Sequence, residues 1–199
     1  MKKFLLLSTL FIMSCSSNCV KDCDAGWISL FNGKDLTGFF VKGKATWEVK
    51  DGILIGDGGM GHIYTDAAAT DFEVKGTFKI SDNGNSGLYF RANTPVDNPD
   101  SWPAGYEAQI DNHQDAHTGW IWKPGKPSAK AKKLITKDNE WFTMKVRMVG
   151  TQAQVWVNDE LMTEYTDTDY TSGHFAIQGH NPGQTIQIKE LSYRDLGKK

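Results

Sequence analysis

In the stretch GYEAQIDNHQDAHTGWIWKP, Gly105 to Pro124, Glu107, Gln109 and Asp111 place a carboxylate, an amide and a second carboxylate at alternate positions. A strand's period of two puts all three on one face and Ala108 and Ile110 on the other. Neighbours in such a row are about 6.6–7 Å apart at Cα, and the end pair about twice that. Carboxyl groups held this way can do general acid–base work on a glycosidic bond, although a retaining pair needs a separation of about 5–5.5 Å. A solvated strand face would give the same pattern. His113 and His117 follow at once, with Asp115 between them. Imidazole titrates near neutrality and serves as base, acid or metal ligand. Asp111, His113 and Glu107 are therefore the candidate ligands if a divalent metal ion is bound. The histidine spacing falls in an expected loop, which weakens that signal.

Other residues can complete such a site. Tyr89 and Arg91 in NSGLYFR are two apart, so a regular strand puts them on one face. Arg91 is the candidate for a fixed positive charge over a developing oxyanion, or a buried partner of Glu107 or Asp111. Gln178 and His180 share a strand face in the same way, and His180 and His62 are expected at a rim or as hydrogen-bonding residues. Trp102, Tyr106, Trp120 and Trp122 surround the carboxylate strand in sequence. Rings stack on the apolar faces of sugars, and Trp120 with Trp122 could form one flat platform. Trp27, Trp47, Trp141 and Trp156 lie in alternating runs and read as core.

These residues need a rigid frame. Helical periodicity is almost absent; instead short alternating or apolar runs recur, closed by Gly, Asn or Asp. Asp51-Gly52 between TWEVK and ILIG is a hairpin signal, with Gly150-Thr151 and Asn158-Asp159 as weaker ones. Without strand–helix alternation a parallel α/β sheet is not expected. The predicted fold is all-β, two packed antiparallel sheets in a sandwich or jelly roll. Two proline-bearing stretches, ANTPVDNPDSWP and KPGKPSAKAKK, flank the carboxylate strand and are expected at the rims of a cleft, or as plain solvated connections.

The chain begins MKKFLLLSTLFIMSCSSN, a charged start and an apolar run too short to span a bilayer, which reads as an export signal. Ile12-Met13-Ser14-Cys15 resembles a bacterial lipobox, with Cys15 the lipidated residue; ordinary cleavage nearby is the other reading. The expected division is 1–14 signal peptide, 15–23 lipid-anchored segment and 24–197 a single domain, on an exported lipoprotein in the periplasm or at the outer membrane. The membrane would then be touched through the lipid alone. Cys19 and Cys23 could close a small disulfide in that compartment. A net charge of -2 excludes a nucleic-acid partner of the usual basic kind.

The order of motifs GWISLFNGKDLTGF, WEVKDGILIGDGGMGHIYTD, DFEVKGTFKIS, NSGLYFR, GYEAQIDN, EWFTMKVRMVGTQAQVWVND and GHFAIQGHNPGQTIQIKELSYRDL resembles the 3-keto-disaccharide hydrolase domain family over residues 24–196. The family usually carries tryptophan where this chain has Phe39. The resemblance implies a concanavalin-like jelly roll with a concave, sugar-facing sheet. It also implies cleavage of glycosides already oxidised to a ketone at C3, by hydrolysis or by 1,2-elimination and hydration. The residues expected to carry this are Glu107, Arg91, Asp111 and His113, with Gln109, Tyr89, Trp120, Trp122, Gln178 and His180 holding the saccharide. A non-catalytic carbohydrate-binding lipoprotein, or a carboxylate-pair hydrolase of unoxidised glycans, would draw on much of the same pattern.

Overall fold

The computed structural model describes residues 26–94, 98 and 101–197. The expected signal peptide, Cys15, Cys19 and Cys23 lie outside the described residues. Among the described residues no helix is long and apolar enough to cross a membrane.

Among the described residues fifteen strands run in chain order: β1 Ile28–Ser29, β2 Phe39–Gly43, β3 Thr46–Lys50, β4 Ile53–Asp57, β5 Gly61–Ala69, β6 Phe72–Ile80, β7 Asn85–Asn93, β8 Ala104–Asp111, β9 Ile121–Lys123, β10 Lys126–Ala129, β11 Phe142–Val149, β12 Gln152–Val157, β13 Glu160–Thr166, β14 Gly173–Gly179 and β15 Thr185–Asp195. They form two antiparallel sheets. An eight-stranded sheet has the order β13-β12-β11-β6-β15-β4-β3, with β1 added beside β15. The seven-stranded sheet is ordered β10-β9-β8-β7-β14-β5-β2. The chain is thus the all-β jelly-roll sandwich expected of it.

Local chemistry explains the connections. Asp51 and Gly52 both have positive φ, as do Asn158 and Asp159. These are the mirror-image turns that match the twist of a hairpin, joining β3 to β4 and β12 to β13. Along β11, Phe142, Met144, Val146 and Met148 are buried while the residues between them are not. Facing them, Leu88, Phe90, Tyr106, Ala108 and Ile110 of β7 and β8 close the core between the sheets.

The outer face of the larger sheet corrects one expectation. Trp27, Trp141 and Trp156 are half-buried there, not core: Lys75 sits 4.2 Å over the Trp27 ring, Lys189 4.0 Å over Trp141 and Lys145 4.2 Å over Trp156. Alternation located each ring on a face but could not say which face is wet. Trp47 does pack against the core.

The smaller sheet differs, because the middles of β7, β8 and β14 are buried on both faces. Their second face, turned away from the core, carries the polar residues considered below.

Candidate active site

One row crosses this second face. Trp122 of β9 stands opposite Glu107 of β8, Glu107 opposite Tyr89 of β7, and Tyr89 opposite Ala176 of β14. Ala176 in turn faces Tyr64 of β5, which faces Phe40 of β2. Phe40 and Tyr64 stack with ring centroids 5.1 Å apart. In the adjoining row Gln109 pairs with Gly87, and Gln178 with His62.

A pocket of about 190 Å³ opens over these rows. Tyr89, Glu107, Gln109, Trp122, Gln178 and His180 line it, all of them residues singled out from sequence. The two proline-bearing segments supply its rim, through Trp102 on one side and Lys123, Pro124 and Gly125 on the other. The second segment is a hairpin, β9–β10, rather than a plain connection. Pro127 falls on the edge strand, where a missing N–H costs nothing.

Glu107 dominates the chemistry. Its residue exposure is 8 % and burial pushes the carboxyl up to about 8; the Tyr89 hydroxyl, which favours the anion, offsets only part of this. At neutral pH Glu107 is therefore mostly a neutral acid. Gly87 makes room for it: a Cβ there would meet Glu107 Oε1 at 2.0 Å. Glycine inside a strand is the sequence signal from which this close approach could have been read.

The donors around it are fixed. Gln109 Oε1 accepts the Ile110 N–H at 3.1 Å, which leaves its amide nitrogen to the pocket. Gln178 Nε2 donates to the Tyr89 hydroxyl at 3.2 Å. Burial, with Glu107 alongside, holds the Tyr89 phenol well above its ordinary range, so it remains a donor. His180 Nδ1 lies 2.9 Å from Asn181 Oδ1. That acceptor calls for hydrogen on Nδ1 and puts the lone pair on Nε2.

Behind this wall several buried polar atoms have no hydrogen-bond partner among the described residues: both His62 nitrogens, Tyr64 Oη and Gln178 Oε1. Burial, reinforced by His180, pushes His62 down to about 3 and keeps it neutral. Its ring meets Tyr89 edge-on at 5.1 Å. His62 is thus fully enclosed, neither the rim residue nor the hydrogen-bonding one expected.

Several expected site residues go elsewhere. Arg91 has φ +48°, and the pairing of β7 shifts register there on both sides. This bulge breaks the alternation with Tyr89 and sends the guanidinium to the end of the sandwich. It donates to the carbonyls of Thr70, Tyr170 and Gly150 at 2.7–2.9 Å and to Asp71 at 3.3 Å. Neither Glu107 nor Asp111 is its partner.

Asp111 shares the strand face as expected but is fully engaged. Its Oδ1 caps the backbone N–H groups of His113 and Gln114, and its Oδ2 accepts from Asn85 and Gln114 side chains. It sets the loop that brings Gln114 and Asn85 to the pocket wall. His113 points away, to Asp138. That hydrogen bond raises its imidazole pKa. Glu107, Asp111 and His113 are therefore not gathered around a common metal position.

Trp120 lies just outside β9 and packs against the core, with Lys130 over its ring, so of these two rings only Trp122 faces the pocket. Tyr106 is core-facing and donates to Asp167 at 2.7 Å. Lys123, which sequence reasoning missed, reaches the rim but is neutralised by Asp167 and Asp169. Phe39, in the place of the family's tryptophan, packs against the core.

Residues 26–196 match the 3-keto-alpha-glucoside-1,2-lyase-like domain, and the chain belongs to that family. No curated protein matches it. Among solved structures it is similar to a Parabacteroides distasonis protein called a glycosyl hydrolase by name alone (TM-score 0.69, 22% identity, 86% of this chain and 94% of that one). It is also similar to carbohydrate-binding module CBM66 from Bacillus subtilis (TM-score 0.66, 21% identity, 80% and 96%). A third likeness is to the Emp46p carbohydrate recognition domain (TM-score 0.64, 9% identity, 84% and 95%). At these identities the likenesses establish the jelly-roll fold alone. Membership of the family makes this a carbohydrate-acting domain.

Proposed function

We propose that the Glu107 pocket cleaves 3-keto-glycosides by 1,2-elimination followed by hydration. The observation that carries this reading is the buried, protonated Glu107 set among neutral donors in a pocket that His180 also lines.

A ketone at C3 acidifies the C2 proton, because the electrons left behind delocalise onto the ketone oxygen. His180 Nε2 takes that proton, the C1=C2 double bond forms, and the C1–O bond breaks as Glu107 hands its proton to the departing oxygen. Water then adds at C1: the Glu107 carboxylate takes its proton, and His180 returns one to C2. The sum is hydrolysis, and both residues end as they began. The Gln109 amide and the Tyr89 hydroxyl supply donors for the enolate oxygen, the task expected of Arg91. Trp122 supplies an apolar face for the ring.

Two observations weigh against the other readings. Among the described residues, Glu107 is the only carboxyl lining the pocket, which leaves a carboxylate-pair mechanism without its second member. A purely binding site has no use for a carboxyl whose proton is held to about pH 8.

The test is turnover of a 3-keto-disaccharide beside its unoxidised parent across pH. Cleavage of the keto sugar alone is expected, with kcat/KM falling as pH rises through about 8 and Glu107 loses its proton. Equal cleavage of the parent sugar would overturn the reading. An export signal and lipid anchor at Cys15 are proposed from the sequence alone; incorporation of labelled palmitate, lost in Cys15→Ala, tests them.

A further inference from the structure

Three connections converge at one end of the smaller sheet. Asp82 lies in the β6–β7 turn, His113 in the β8–β9 loop and Asp138 in the segment entering β11. One ligand atom from each lies within 4.8 Å of the others. Two carboxylates so close call for positive charge beside them, and His113 presents Nε2 there, 2.5 Å from Asp138 Oδ2.

Outside the three residues, a further shell fixes the geometry. Asp138 Oδ1 accepts from Asn112 Nδ2 at 2.8 Å, and the Asn83 N–H donates to Oδ2 at 3.2 Å. Asn112 is itself held through Oδ1 by the Thr118 and Thr136 hydroxyls, at 3.0 and 2.6 Å. Asp138 is thus oriented by a hydrogen-bonded second layer, as metal-ligating carboxylates are.

We propose that Asp82, His113 and Asp138 bind one divalent first-row transition ion, with zinc the best fit, and that the ion is structural. One imidazole and two carboxylates give three protein ligands of intermediate softness, which favours zinc over calcium or magnesium; water completes the coordination. None of the three residues lines the Glu107 pocket. The ion clips the β6–β7 turn and the segment entering β11 to the loop in which Asp111 positions Gln114. It thereby stiffens one pocket wall. Nothing in this proposal depends on what the pocket does.

The test uses the full domain stripped of metal with a chelator, then thermal melts with zinc, calcium or magnesium chloride and elemental analysis after dialysis. One equivalent of zinc is expected, with the midpoint raised by about 5–10 °C at a hundredfold excess over the dissociation constant. Calcium and magnesium should shift it far less. Asp82→Asn, at an exposed turn position, should keep the fold and lose most of the zinc shift; His113→Ala should do the same. A zinc shift that persists in both variants, or the absence of bound zinc and of any shift, would overturn the proposal.

Discussion

Tyr89 and Arg91 stand two residues apart on β7, yet they end in opposite kinds of place. Arg91 enters the end of the sandwich, where three backbone carbonyls and Asp71 take up its guanidinium. Tyr89 enters a pocket wall where burial keeps Glu107 protonated and where Gln178, with His62 and Tyr64 enclosed behind it, keeps polar atoms without partners among the described residues. Both regions are buried and polar. The difference is saturation. A buried polar group normally finds its hydrogen bonds within the protein, and leaving one unmade costs about 1–3 kcal/mol. The Arg91 junction meets that rule and serves structure. The pocket wall and the enclosed layer behind it depart from that rule at Gln178, Trp122, His62 and Tyr64.

The largest expected contrast comes from removing one side chain in each region. Glu107→Gln should cut turnover by about 10²–10⁴-fold while the protein stays folded, because the amide fills the same space without a transferable proton. Arg91→Met should do the reverse. It strands three carbonyls and Asp71, a loss on the order of 3–5 kcal/mol, and leaves per-molecule activity of the surviving folded protein nearly intact. Paired kinetics and thermal melts would check both; a stable Arg91→Met protein with abolished turnover would collapse the distinction.

Gly87→Ala sharpens the comparison on the pocket side. The new methyl would occupy the Glu107 carboxylate's place and displace it by an ångström or more. Misplacement on that scale is worth about 10²-fold in rate. The expected outcome is a lower kcat with little change in the melting midpoint, read from steady-state kinetics and calorimetry.

A smaller effect lies in the pH dependence of stability. Glu107 moves from 4.5 to about 8 on folding, so the native state holds a proton that the unfolded chain releases. Stability from this group is present below about pH 4.5 and drains away as pH rises towards 8, at no more than about 1.4 kcal/mol per unit. His62 moves from 6.5 to about 3, so its contribution is present above 6.5 and is lost as pH falls towards 3. Between about pH 4.5 and 6.5 the two slopes oppose and cancel. Denaturant titrations should therefore show a plateau there, with a decline on the alkaline side that Glu107→Gln flattens. An unchanged alkaline limb in that variant would mean that Glu107 is not held protonated.

Much of this was legible in the residues, for identifiable reasons. Asp51-Gly52 announced its hairpin because few other pairs accept positive φ in succession. Glu107, Gln109 and Tyr89 reached one face because β7 and β8 keep a strict period of two as far as Phe90. Arg91 escaped that logic: the bulge turns on a left-handed arginine, a residue type that carries no warning of one. His113 was misplaced because its partner Asp138 comes from a distant segment, and loop-to-loop proximity has no period to read. Trp120 differs from Trp122 only in standing one residue outside β9. The enclosed cluster around His62 depends on what packs over a sheet face, which local pattern cannot reveal.

The central claim is that the pocket removes the C2 proton of a 3-keto sugar. An NMR time course of cleavage in D₂O, with exchange into free product measured separately, tests it most directly. One deuterium is expected at C2 of the released 3-keto sugar, introduced at the rate of cleavage and lost together with it in Glu107→Gln. Cleavage that leaves the original proton on C2 would contradict it, because the glycosidic bond would then break by direct displacement at C1.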